Sequence, residues 1–162
     1  MDIKGKQVLV FGTGFSGIAA GQLLLFQGAD VVLYDGNASL DAAMLKEELK
    51  EGMQESCAAD SSSPDAAKSQ AFGAEEKEVS RRVRVILGDF PEEELDSLDL
   101  VVISPGVPTD LPIVNKMREM RIPIWGEVEL AYVFGQGDVL AITGTNGKTT
   151  TTTLLGEIMK HY

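Results

Sequence analysis

Short apolar runs divided by polar and helical stretches organise the chain from its first residues. Gln7 to Phe11 is apolar and β-branched, which predicts a strand. It stops at Gly12-Thr13-Gly14-Phe15-Ser16-Gly17, and Ile18, Leu23, Leu24, Leu25 and Phe26 then follow a helical pattern. Val31 to Tyr34 predicts a second strand that ends at Asp35. Leu40, Ala43, Met44, Leu45 and Leu49 fit one amphipathic helix, with Asp41, Lys46, Glu47, Glu48 and Lys50 on the wet side. After Gly52 this pattern dissolves. Gln54 to Glu78 is so rich in Ala, Ser, Asp and Glu that it predicts a flexible, solvated insertion.

Order returns at Val83 to Leu87, a third strand, followed by a short acidic helix around Pro91 to Leu98 and a fourth strand at Leu100 to Ile103. A helix from Leu111 to Arg121, a short strand at Ile122 to Trp125 and a helix from Glu127 to Phe134 complete the alternation. Strand and helix alternate with crossovers long enough for parallel pairing. This predicts an α/β, doubly wound, five-stranded, mainly parallel sheet over residues 1–136. Gly135-Gln136-Gly137-Asp138 reads as a hinge, and Val139 to Ile142 predicts the buried strand that opens a second unit at 137–162. One strand and one helix cannot form a core, so a truncated second domain is expected.

Bulk properties narrow the classes. A hydrophobic content of 44% suits a globular domain, and the longest apolar runs are strand-length, so no membrane span is expected and a cytoplasmic setting is the default. The net charge of −11 argues against nonspecific nucleic-acid binding. Cys57 is the only cysteine and cannot form an internal disulfide; His161, the only histidine, is the penultimate residue and reads as a surface residue.

Two glycine-rich turns carry the candidate chemistry. Gly12, Gly14 and Gly17 form a full G-x-G-x-x-G between a strand and a helix. Asp35 follows at about the 20-residue distance where a Rossmann acidic residue is expected. Such glycines let a diphosphate approach the backbone at a helix N-terminus, which suits a dinucleotide or a nucleotide-sugar. A tight strand-to-helix turn without a ligand would carry the same pattern. Ser104-Pro105-Gly106-Val107-Pro108, a rigid turn after the fourth strand, belongs on the same rim and is expected to leave the Gly106 amide and the Ser104 hydroxyl free.

The second turn is Gly144-Thr145-Asn146-Gly147-Lys148-Thr149-Thr150. Its glycines would turn N–H groups inward, Lys148 would neutralise β- and γ-phosphates, and the Thr149 hydroxyl would complete a Mg²⁺ shell. The general phosphate-loop pattern requires glycine at position 142, where this chain has Ile142. The threonines that follow Lys148 are poor helix formers, so propensity alone does not explain them.

Gly-Thr-Asn-Gly-Lys-Thr-Thr resembles the ATP loop of the Mur ligase family, ATP-dependent amide ligases of peptidoglycan precursor synthesis, and of the related folylpolyglutamate synthases. The order of glycine fingerprint, Ser-Pro-Gly turn, Gly126-Glu127-Val128-Glu129-Leu130 and phosphate loop is most similar to the glutamate-adding branch of that family. The likeness spans the chain except the stretch at about 54–80, and covers only the N-terminal third of such an enzyme. It implies that the first domain holds UDP-N-acetylmuramoyl-L-alanine. Phe15 and Ser16 would touch the diphosphate, Asp35 the uracil, and Ser104, Pro105 and Gly106 would close over the nucleotide. It also implies ATP on Gly144 to Thr150, with Lys148 the catalytic cation and Thr149 the Mg²⁺ ligand. The reaction implied is phosphorylation of the alanyl carboxylate and attack by the D-glutamate amine. The amino-acid site would lie in missing domains, so the chain alone is expected to be inactive. Two other readings carry distinct signatures: an NAD-binding oxidoreductase domain would tolerate loss of Lys148, and a nonenzymatic nucleotide-binding module would bind without turnover.

Overall fold

In the computed structural model, residues 2–59, 81–135 and 138–161 are described. Five strands, β1 (Gln7–Phe11), β2 (Asp30–Asp35), β3 (Val83–Leu87), β4 (Leu100–Ile103) and β5 (Ile124–Gly126), form one sheet in the order β3-β2-β1-β4-β5. Every pairing is parallel, with Val8 opposite Val31 on one side and Leu100 on the other. Helices among the described residues include α1 (Phe15–Phe26), α2 (Ala42–Ala59), α3 (Pro112–Glu119), α4 (Glu127–Phe134) and α5 (Lys148–Lys160), with a 3₁₀ turn at Glu92–Ser97. The doubly wound α/β expectation is therefore met.

Burial on both faces explains why β1 and β4 are unbroken apolar runs and not alternating ones. Val8 and Val10 face a cluster that takes in Leu24 of α1, Leu49 of α2 and Leu130 of α4. Leu9 and Phe11 face the opposite cluster, with Leu95, Val114 and Met117. Gly21 permits the close α1–α2 approach, since a Cβ there would stand 2.6 Å from the Leu49 Cδ2. Arg82 closes the far end of α1 by donating to the carbonyls of Leu25 and Ala29.

Three expectations need correction. The helix after β2 does not end at Gly52: α2 continues to Ala59, so residues 54–59 are helical; the rest of the expected insertion, 60–80, lies outside the described residues. A single glycine costs about 1 kcal/mol in a helix, and the good helix formers around it absorb that. The fifth strand is shifted, because Pro123 has no N–H for the ladder; it offers only its carbonyl, to the Val101 amide at 2.9 Å. Val139 to Ile142 forms no strand: Val139 and Leu140 are 64% and 60% exposed. Among the described residues no strand lies beside this segment, and without one its backbone groups have no ladder to join.

Candidate functional site

The strand order reverses between β1 and β4, and in a parallel α/β sheet the crevice at that switch point, beyond the strands' carboxyl ends, is where ligands bind. A cleft of about 910 Å³ opens there. Gly12, Thr13, Gly14, Ser16 and Asp35 line one side; Ser104, Gly106, Val107 and the start of α3 line the other.

Each fingerprint glycine has a separate steric role. Gly12 takes φ +111°, a conformation side chains rarely adopt, and turns the chain out of β1. A Cβ on Gly17 would stand 2.0 Å from the Gly12 carbonyl oxygen, so glycine alone lets α1 start this close to β1. A Cβ on Gly14 would meet nothing within 4 Å; the open side of the loop is here. Gly14 also precedes α1 with no side chain capping the helix, which leaves the first amides of α1 without helical partners. A phosphate at that position would satisfy those donors.

Asp35 fixes the loop from the end of β2. One carboxylate oxygen accepts from the Thr13 amide at 3.1 Å and the Thr13 hydroxyl at 2.8 Å, and the other accepts from the Asn37 amide at 3.0 Å. Burial by itself would raise its pKa, but the hydrogen bonds from Asn37 and Thr13 bring the carboxyl below its ordinary value. The floor of the cleft is aromatic: the Phe11 and Tyr34 rings meet at a 48° tilt with centroids 4.5 Å apart, and Phe90 packs edgewise on Tyr34 at 4.9 Å. Burial, with the charges of Asp89 and Asp35 adding to it, raises the Tyr34 pKa, so its phenol stays protonated and donates to the Gly88 carbonyl.

The Ser104 hydroxyl is not free as the sequence suggested. It is buried and donates to Glu127 Oε1 at 2.5 Å. The end of β4 places Ser104 beneath the glycine loop, and α4 begins with the carboxylate that accepts its hydrogen bond. The other predicted nucleotide residues divide: Gly12, Gly14, Ser16, Asp35, Ser104 and Gly106 line the cleft. Phe15 is 95% exposed at the first position of α1, and Gly17 is packed behind the loop. Tyr34, Asp89, Phe90 and Lys116 also line the cleft and belong to no motif.

The second loop stands on different ground. Gly147 adopts the left-handed conformation, φ +78°, and opens α5 without a side-chain cap. Lys148 folds back so that Nζ donates to the Gly144 carbonyl at 2.5 Å. Gly144 to Thr150 are all exposed, and no residue of α5 is buried. Uncapped amides, two glycines with positive φ and a lysine at the helix start fit a nucleotide triphosphate. Among the described residues no three His, Cys, Asp or Glu side chains are grouped to hold a metal ion.

Fold and cleft define a Rossmann-like α/β domain. In sequence it is similar to the Mur ligases: residues 55–126 match the family model "Mur ligase MurD-like, N-terminal domain". The chain is 44% identical over 162 residues to the UDP-N-acetylmuramoylalanine--D-glutamate ligase of Lachnospira eligens, covering 100% of this chain and 30% of that protein. It is 43% identical to the protein of the same name from Thermoanaerobacter pseudethanolicus, covering 99% of this chain and 29% of that one. The expected resemblance is thus borne out, and it is wider than expected, because the first of these alignments takes in the whole chain, including 54–80. The chain spans about 30% of the length of these relatives. A pseudomurein peptide ligase type C from Methanothermus fervidus, 20% identical, covers 96% of this chain and 26% of its own at a TM-score of 0.48, a likeness too slight to bear on the fold. No described helix is long and apolar enough to cross a membrane.

Proposed function

We propose that this chain is the portion of a D-glutamate-adding amide ligase that holds UDP-N-acetylmuramoyl-L-alanine, and that it also carries the loop for ATP. The observation that supports this most is the open face of Gly14 beside uncapped α1 amides, at the switch point of a parallel sheet, in a chain 44% identical to a named ligase of that kind. The diphosphate lies against Gly12, Gly14, Phe15, Ser16 and Gly17. The uridine extends toward Asp35 over the aromatic floor, and Ser104, Pro105 and Gly106 border it. Residues 1–136 form this substrate domain and 137–162 begin the ATP domain. The setting is the cytoplasm, where UDP-linked precursors and ATP are both at hand.

In the reaction, the alanyl carboxylate attacks the γ-phosphate of ATP, the β–γ bond breaks and ADP leaves. The D-glutamate amine then displaces phosphate from the acyl carbon, losing a proton as the amide forms. Gly144 to Gly147 cradle the ATP phosphates with Thr150 beside them. Lys148 exchanges its bond to the Gly144 carbonyl for the phosphate oxygens, where its fixed charge favours the transferring group. Thr149 would hold Mg²⁺ through its hydroxyl, and the ion would supply positive charge that screens the phosphates. No side chain acts as nucleophile.

Calorimetric titration with UDP-N-acetylmuramoyl-L-alanine, beside NAD⁺ at equal concentration, tests the reading. Binding of the UDP compound, lost in Ser16→Glu, supports it; binding of NAD⁺ alone would make the domain a dehydrogenase-type module. The chain alone is expected to give no D-glutamate-dependent phosphate release.

A further inference from the structure

Apart from the Tyr34 phenol, Ser104 is the only polar side chain among the buried residues described, and its position is unusual. Built on the neighbouring glycines, a Cβ on Gly12 would stand 2.8 Å from the Ser104 Cβ and 2.9 Å from its Oγ. A Cβ on Gly17 would stand 3.1 Å from the same Oγ. The serine therefore fills the space behind the glycine loop that the missing side chains leave. Its amide donates to the Phe11 carbonyl at 3.0 Å, which ties its backbone to the end of β1. The side-chain rotamer is held from elsewhere, by the 2.5 Å bond to Glu127 Oε1. Glu127 is the first residue of α4, next to β5, on the opposite side of β4 from the glycine loop. A carboxylate that commits the Ser104 proton leaves the Oγ with lone pairs alone on its remaining side, so it cannot donate to the Gly12 carbonyl or to a ligand anion.

We infer that Glu127 is a positioning residue of the nucleotide cleft. Through Ser104 it sets the height and shape of the Gly12–Gly17 loop on which the diphosphate rests. This deepens the proposed function and depends on it for the identity of the ligand. The bond also joins the cleft rim to the helix that leads into the segment carrying the phosphate loop. A ligand that presses on the glycine loop therefore bears on the start of α4.

Loss of a buried bond to a charged acceptor is expected to weaken binding about tenfold. The probe is UDP, titrated calorimetrically into the 162-residue chain. Glu127→Ala should weaken UDP about tenfold, while Glu127→Gln, which keeps an acceptor oxygen, should stay within about threefold of the parent. Ser104→Ala should also weaken binding, and the double substitution should be no weaker than the worse single one, since both remove the same bond. Equal weakening by Gln and Ala, or additive losses, would overturn the inference. A second readout does not need the ligand: amide hydrogen exchange across Gly12 to Gly17 should quicken in Glu127→Ala and not in Glu127→Gln. If the parent binds no UDP, the proposed function fails while exchange still decides the role of Glu127; unchanged exchange in Glu127→Ala would then refute it.

Discussion

The two glycine turns make an instructive contrast. Both end in a helix whose first amides lack a side-chain cap, yet only one is held by a core. Around Gly12 to Gly17 the loop is pinned by Asp35, by the packed Gly17 and by the buried Ser104. Around Gly144 to Thr150 the loop keeps its shape by local bonds, Lys148 to Gly144 and the Thr151 amide to the Gly147 carbonyl at 2.9 Å. A turn of this shape can thus be specified by glycine placement and the following helix alone. What tertiary packing adds is rigidity and a cleft beside the loop.

Reciprocal losses would break the contrast most sharply. Lys148→Ala should weaken ATP about 100-fold and leave UDP binding intact, while Ser16→Glu should do the reverse; a change in both sites from either substitution would show that they are not separate. Next in size is Gly17→Val, whose side chain collides with the Gly12 carbonyl. It should lower unfolding stability by about 3 kcal/mol in urea titration, and a silent substitution would mean that the loop can move away.

A smaller effect concerns acid. The Asp35 carboxyl is below its ordinary value in the fold, so its stabilising contribution is complete above the unfolded value and disappears as pH falls through the folded one. Urea midpoints measured from neutral to strongly acid pH should therefore fall less steeply in Asp35→Asn than in the parent. Smallest is Gly156→Ala on α5, where a Cβ meets nothing within 4 Å. It should favour the helix locally by about 1 kcal/mol, visible as added helical circular dichroism, without raising the urea midpoint of the sheet.

How much could be read beforehand follows the same division. β1, β2 and β4 were legible because burial on both faces makes their middles continuously apolar, and the glycine fingerprint was legible because its steric needs are local. The length of α2 was not, since Gly52 looks like a stop when the neighbouring propensities are not summed. The missing strand at Val139 to Ile142 was misread for the opposite reason: its apolar pattern is that of a strand, but pairing depends on partners that a pattern does not supply. The Ser104–Glu127 bond was hidden because it links positions 23 residues apart in two unrelated-looking motifs. The aromatic floor was hidden too, because Phe11, Tyr34 and Phe90 come together only when three strand ends align.

The strand order also sets a timetable. β1 emerges from the ribosome before every other strand, yet it lies at the centre, and Val8 waits for Leu100 before its second edge is covered. During synthesis the growing chain must carry a half-paired strand, apolar from Val8 to Phe11, while α2 and the residues after it are made, an interval of several seconds at about 5–20 residues per second. Non-local parallel pairing of this kind folds slowly. Temperature-sensitive failure should therefore strike the nascent chain, at the unsealed edge of β1, before it strikes the finished domain.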